Sequence, residues 1–219
     1  MPMEQPQAID VIASGIHDAK NSMFDALARV GVAVQAIHSG NAAAALPALA
    51  EIETAVSASA QRLSKLLSAY RLLRHENPVS MMPVDVPGLL EDVVIRLHEN
   101  DADGIALRTE CRFPGIWVCD RELVADCLIN ALQNALRHAR SAVRLSAEEA
   151  DGQLVLTVAD DGPGVPDELP AHADGTHAGV GLFIARRIAH LHERHGRHGT
   201  LELGNGGPLG GAVFRLALP

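Results

Sequence analysis

The run Asp160-Asp161-Gly162-Pro163-Gly164 carries the plainest chemistry in this chain. An alternating apolar stretch, Leu154, Leu156 and Val158, leads into it and stops at two acids and two glycines. That pattern predicts a strand whose end turns sharply and holds up a carboxylate. Glycine permits dihedrals and close approaches that a Cβ forbids. A carboxylate fixed at a strand end can accept from an exocyclic amino group, such as that of adenine. Taken alone, Asp-x-Gly-x-Gly is equally accounted for by an acidic hairpin turn or a calcium-binding loop.

Two further groups flank it. Asn130 and Asn134 are four apart in a predicted helix and so share a face, which Arg137 and His138 continue one turn on. Two amides, a cation and an imidazole would line one wall of a pocket, or face solvent as a polar stripe. Asparagine is a poor interior helix former, so a pair on one face invites explanation. Further on, Gly179-Val180-Gly181-Leu182-Phe183-Ile184 opens a helix. Free N–H groups at a helix start favour phosphate, and glycines let it come close. Each element is weak singly, whereas Asn-x-x-x-Asn, Asp-x-Gly-x-Gly and Gly-x-Gly-Leu in this order and spacing are a specific signal.

The elements that must position these groups follow from patterning. The chain has 219 residues, 47% hydrophobic and 21% charged, which supports a sizeable core in one large domain or two small ones. Aromatics are 3%, so packing relies on Leu, Val, Ile and Ala. A formal net charge of -9 argues against a nucleic-acid partner. Cys111, Cys119 and Cys127 lack metal-ligand spacing, and an odd number without a secretion signal predicts a reducing compartment. No apolar run approaches the roughly 20 residues of a membrane span. The expectation is a soluble, cytoplasmic protein with neither nucleic-acid nor membrane partners.

From Ala8 to His38 the apolar positions Ile9, Ile12, Ile16, Ala19, Met23, Leu27, Val30, Val34 and Ile37 step by threes and fours along one face of a long helix. Ser39-Gly40-Asn41 stops it with a glycine C-cap signal. A second helix, 42–75, has Leu46, Leu49, Ile52, Val56, Leu63, Leu67, Tyr70 and Leu73 along its seam and Pro47 in its first turns. One such antiparallel hairpin cannot bury a two-sided apolar surface, so a homodimeric four-helix bundle is expected. Asn77-Pro78 to Met82-Pro83 breaks the helix and divides a domain 1–78 from a domain 79–219. Beyond it, helices are predicted over 89–97, from Asp120 as N-cap, and over 180–191. Strands are predicted over 105–111, 116–118, 142–147, 154–159, 200–203 and 213–218, giving an α+β fold with helices on one face of a mixed sheet. Residues 166–178 read as a mobile lid, and His190 to His198 as a solvated helix end with a loop.

Residues 120–218 resemble the catalytic ATP-binding domain of sensor histidine kinases, within the gyrase-like ATPases. Leu128 to Ala135 is similar to the N box, Asp160 to Gly164 to the first glycine box, Gly179 to Leu182 to the second, and Gly210 to Leu216 to the closing strand. The resemblance implies an α/β sandwich that binds ATP with magnesium. It implies that Asp160 accepts from the adenine amino group, with Gly162, Gly164, Gly179, Gly181 and Leu182 in the glycine boxes. Asn134, with Asn130, would hold Mg2+, Arg137 would approach phosphate, and His138 would lie against the nucleotide.

The hairpin fits the same family. Ile16-His17-Asp18-Ala19-Lys20-Asn21 is similar to its phosphoacceptor motif. Neutral imidazole is a nucleophile toward a phosphoryl group, Asp18 could take the proton from the other ring nitrogen, and Asn21 could orient a water from the same face. In departure from the family, no phenylalanine box occurs between Val165 and Ala178, and that segment has no Lys or Arg, only His172 and His177. The leading expectation is a histidine kinase that autophosphorylates on His17 and passes the phosphoryl group to an aspartate of a response-regulator receiver domain, and also acts as its phosphatase. The alternative is a dimeric histidine phosphotransfer protein that needs no ATP. A non-catalytic dimer that sequesters a regulator, and an anti-sigma-type serine kinase, are further readings, the last leaving His17 without purpose.

Overall fold

The computed structural model describes residues 5–74, 79–98, 104–165 and 177–219. The Asn77-Pro78 break and residues 166–176 of the expected lid, His172 included, lie outside the described residues. The chain divides into two compact units, residues 1–75 with 174–180, and residues 76–173 with 181–219.

In the first unit, α1 (Gln5–His38) and α2 (Ala42–Arg74) pair lengthwise. Gly40, at φ 75°, closes α1 in the left-handed conformation that a C-cap glycine supplies, and the N–H of Asn41 returns to the Ala36 carbonyl at 3.0 Å. Arg29 pairs with Glu51 across the hairpin, and a Cβ on Gly15 would run into the side chain of Leu66, so the helices are antiparallel.

The buried seam differs from the expected one. Ala19, Ala26 and Ala33 on α1 meet Ala45, Ser59 and Leu66 on α2, all at most 5% exposed. The larger residues Ile16, Met23, Leu27, Val30, Val34, Ile37, Leu46, Leu49, Val56 and Leu63 are 40–68% exposed in the single chain. Side-chain size explains the difference: alanine lets two helices approach closely, and the larger apolar side chains are left facing away from the hairpin. Side chains of Ile9, Ile12, Leu67, Tyr70 and Leu73 lie outside the described residues.

In the second unit the elements are β1 (Met82–Asp85), α3 (Val86–His98), β2 (Ala106–Cys111), β3 (Ile116–Cys119), α4 (Arg121–His138), β4 (Ala142–Ala150) and β5 (Gln153–Asp160). They continue as α5 (His177–Leu191), β6 (Glu193–Arg194), β7 (Arg197–His198), β8 (Thr200–Asn205) and β9 (Ala212–Leu218). The main sheet has the order β2-β4-β5-β9-β8, with only β2 and β4 parallel. Cross-strand register puts Leu145, Val158 and Phe214 in one row and Ala147, Leu156 and Leu216 in the next. Helix α4 packs over β4 and β5, and α3 over α4. Val124, Cys127, Leu128, Ala131, Leu132 and Ala135 of α4 are buried as the periodicity predicts, Leu123 only half so, with Ala125 joining them. Asp120 is its N-cap, accepting from the Leu123 N–H at 3.0 Å. The β1–β3 pair was hidden in the sequence because β1 is four residues long and contains Pro83. The His-rich stretch is a small hairpin, β6 to β7, turned by His195 and Gly196 at φ 52° and 76°.

His192 locks two of these helices together. Its side chain is fully buried: Nδ1 donates to the Ile188 carbonyl at 2.8 Å, and Nε2 accepts from the Asp120 N–H at 3.0 Å. Burial lowers its proton affinity, because a charged imidazolium there would be desolvated and would lose the Asp120 bond. The unfolded chain therefore binds the proton more readily than the folded one. Stability is complete above about pH 6.5, the ordinary histidine value, and declines as pH falls below it. Thermal midpoints measured from pH 8 to pH 5 should show that decline, and a His192→Gln variant, which can still accept but does not titrate, should show a flatter profile.

Candidate nucleotide site and phosphoacceptor helix

Asp160 ends β5 and is 5% exposed. Its Oδ1 accepts from the N–H groups of Gly162 at 2.8 Å and Ala212 at 3.1 Å, and its carbonyl accepts from Gly211 at 3.0 Å. Its Oδ2 has no hydrogen-bond partner among the described residues. One oxygen fixes the carboxylate and the other is left for a donor, which suits recognition of an amino group. Glycine is required at both flanks. A Cβ on Gly211 would collide with Asp160 Oδ1, and one on Gly162 with the His138 carbonyl. That second contact seats the turn directly on the last turn of α4.

Asp161, its neighbour, fastens the same junction. Its carboxylate accepts from the Arg140 N–H at 2.8 Å, from the Ser141 N–H at 3.0 Å and from the Ser141 hydroxyl at 2.6 Å. The Ser141 hydroxyl and these N–H groups hold its carboxyl well below the usual carboxylate range. Farther along, Gly164 is at φ 83°, and the Asn205 side chain fills the space where a Cβ would stand. Asn205 clasps Val165 from both sides, its Oδ1 accepting from Val165 N–H and its Nδ2 donating to Val165 carbonyl, each at 2.7 Å. Sequence reasoning missed Asp161, Asn205, Gly211 and Ala212 as parts of the site. Only the doubled acid and the Gly210-Gly211 pair signalled anything there.

Asn130 is half-buried on α4, and Asn134, Arg137 and His138 are exposed. Neither the Asn130 nor the Asn134 side chain has a hydrogen bond to another described residue. Two uncommitted amide oxygens on one helix face fit a hard, oxygen-seeking cation such as Mg2+, which keeps most of its water. The second glycine box lies at the start of α5, as the pattern predicts. Helix α5 begins at His177, so Gly179 and Gly181 lie inside its first turns and Leu182 is half-buried. Gly179 is the one helix-weakening residue between His177 and Val180, and its cost of about 1 kcal/mol does not stop the helix. Gly179 groups with the first unit, Gly181 and Leu182 with the second.

On α1, His17 and Asn21 are exposed, and Asn21 Nδ2 lies 3.2 Å from His17 Nδ1. The side chain of Asp18 lies outside the described residues. Ile16, 50% exposed, places His17 beside the uncovered apolar row.

Residues 119–219 match the family model of the histidine kinase-, DNA gyrase B-, and HSP90-like ATPases. This is a histidine kinase-like ATPase domain. The ATPase domain and the rest of the chain find relatives of one kind. The signal transduction histidine-protein kinase AfsQ2 of Streptomyces coelicolor is 38% identical over 104 residues, 42% of this chain and 18% of that protein. The sensor protein kinase PmrB of Pseudomonas aeruginosa is 30% identical over 185 residues, 75% of this chain and 37% of that protein. The chain thus spans well under half the length of these curated relatives. The Acinetobacter baumannii histidine kinase AdeS has a similar fold, with a TM-score of 0.67 at 18% identity over 92% of this chain and 96% of that one. The family match is to residues 119–219, and the likeness over the greater part of the chain is to sensor kinases. No described helix is long and apolar enough to cross a membrane.

Proposed function

We propose that this chain is the catalytic core of a two-component protein-histidine kinase acting in the cytoplasm. Residues 79–219 bind ATP, and residues 1–78 form the dimerisation and histidine phosphotransfer domain. The observation that carries the reading is the Asp160 carboxylate, pinned through one oxygen by two backbone N–H groups and offering the other, inside a domain of the ATPase family. In this reading the second oxygen accepts from the adenine amino group. Gly162 and Gly164 shape the turn beneath the base, His138 lies against the nucleotide, and Arg137 approaches phosphate, as do the N–H groups around Gly179, Gly181 and Leu182. Asn134 and Asn130 would hold Mg2+, whose charge offsets that of the phosphates.

His17 is the phosphoacceptor, Asp18 the base that draws its proton, and an aspartate on a response-regulator receiver domain the next acceptor. Phosphate removal from that aspartate belongs to the same proposal. Asn21 Nδ2 engages His17, and Oδ1 remains to accept from a water and aim it. The exposed rows Ile16, Met23, Val30 and Ile37 on α1, and Leu49, Val56 and Leu63 on α2, support a homodimeric four-helix bundle, since covering the remaining apolar surface stabilises by roughly 25 cal/mol per Å².

Incubation with labelled ATP and Mg2+ tests this reading. An acid-labile, base-stable label is expected on a species of twice the chain's 23.2 kDa by light scattering. An unlabelled protein that accepts phosphate from a phosphorylated receiver domain would instead mark a phosphotransfer protein that does without ATP.

A further inference from the structure

We propose that Asp161 is a positioning residue that fixes the last turn of α4, and with it Arg137 and His138, where a nucleotide's phosphates meet them, an inference that rests on reading Asp160 as the adenine acceptor. Asp160 and Asp161 are adjacent but share no donor. Asp160 Oδ1 accepts from Gly162 and Ala212, whereas the Asp161 carboxylate accepts from the Arg140 and Ser141 N–H groups and the Ser141 hydroxyl. One acid is left for the base, and the other holds the chain leaving α4.

That chain has no stop of its own. Residues 139–142 contain no glycine, and α4 ends at Ala139 with extended backbone, ψ 151°, rather than in the left-handed turn that commonly satisfies a helix C-terminus. The Ala139 N–H still reaches the Ala135 carbonyl, at 2.7 Å. The next two N–H groups leave the helix for Asp161, Arg140 at 2.8 Å and Ser141 at 3.0 Å. The Asp161 N–H in turn donates to the Ala142 carbonyl at 3.3 Å. Beside it, Gly162 lies so close to the His138 carbonyl that a Cβ would collide with it. The end of α4 is thus set by a residue 20 positions beyond Ser141.

Arg137 and His138 are exposed, and their side chains have no hydrogen bond or ion pair to another described residue. The helix end is what holds them. Terminal turns fray where their groups lack partners. Without the Asp161 carboxylate, the Arg140 and Ser141 donors turn to water and the last turn loosens. A loosened Arg137 must be ordered again to meet phosphate, which weakens binding. Charge alone points the other way, because removing a negative charge from a site that takes a polyanion should strengthen binding. The sign of the effect separates the two.

The test titrates ATP and inosine triphosphate, which has a carbonyl in place of the amino group, into the full chain. The same titrations are made with Asp161→Ala, Asp161→Asn, Arg137→Ala and the double variant Asp161→Ala/Arg137→Ala, each well below its melting midpoint. Asp161→Ala should bind ATP about tenfold more weakly, a coupling usual for groups in one network. Asp161→Asn, which keeps one acceptor oxygen, should fall between. It carries the same comparisons if Asp161→Ala melts below the assay temperature. Arg137→Ala alone should weaken ATP binding, yet cost little more when added to Asp161→Ala. The preference for ATP over inosine triphosphate should survive in Asp161→Ala, because Asp160 keeps both its donors, whereas a generally loosened fold would erode it. Equal or tighter ATP binding by Asp161→Ala, loss of its preference for ATP, or additive costs in the double variant would overturn the proposal. If the unaltered chain binds neither nucleotide, or both alike, the reading of Asp160 fails by itself. Amide hydrogen exchange then decides the role of Asp161. The Ala139 amide should lose protection in Asp161→Ala while Leu128 and Leu132, in the body of α4, keep theirs, and unchanged protection at Ala139 refutes the role.

Discussion

His17→Gln should take up no acid-labile phosphate from ATP. The effect is expected to be total because a carboxamide has no lone pair that attacks phosphorus at neutral pH, whereas neutral imidazole does. The substitution should leave the fold alone. His17 is exposed on α1, glutamine is a good helix former, and surface changes of this kind usually fall within about 0.5 kcal/mol. Nucleotide affinity should also be unchanged, since His17 belongs to one compact unit and Asp160 to the other. The variant must therefore be compared with the unaltered chain for label, ATP affinity and solution mass together. A label of the same acid lability persisting in His17→Gln would move the acceptor to another of the eleven histidines.

Asp160→Asn should bind ATP about 10- to 150-fold more weakly, the worth of a charge-assisted hydrogen bond of roughly 1.5–3 kcal/mol. The geometry makes this substitution informative. The asparagine oxygen can occupy the place of Oδ1 and keep both backbone donors, Gly162 and Ala212, satisfied. The amide nitrogen then replaces Oδ2 and turns an acceptor into a donor facing the adenine amino group. Fold is retained and recognition is inverted. Calorimetric titration with ATP, beside a thermal melt that stays close to that of the unaltered chain, is the measurement. Undiminished affinity would show that the base does not meet this carboxylate.

What the sequence made legible was local. Asp120 announces the start of α4 because a cap is read a few residues from the helix it caps, and the β5 turn is announced by acids and glycines in one run. What it concealed was action at a distance. The Asn205 clasp on Val165 spans 40 residues, and the His192 bond to Asp120 spans 72. Such a partner carries no periodicity and no neighbouring signal. The hairpin is legible as two helices and a glycine stop, and the seam inside it is not. Large apolar residues dominate a pattern read by eye, yet close helix contact selects the alanines between them, Ala19, Ala26 and Ala33, spaced by seven. Helix α5 starts three residues ahead of the predicted 180, so both glycines fall within its first turns.

The strand order β2-β4-β5-β9-β8 also bears on how the domain is made. Strand β9 lies between β5 and β8, both of which leave the ribosome before it. From residue 160 to residue 218, synthesis takes roughly 3–12 s at about 5–20 residues per second. Throughout that interval β5 has one edge unpaired, and the Asp160 carboxylate lacks its Ala212 donor. The nascent domain therefore waits with an open sheet and an unfinished binding site, in need of shelter from other chains, and closes both with the same seven residues.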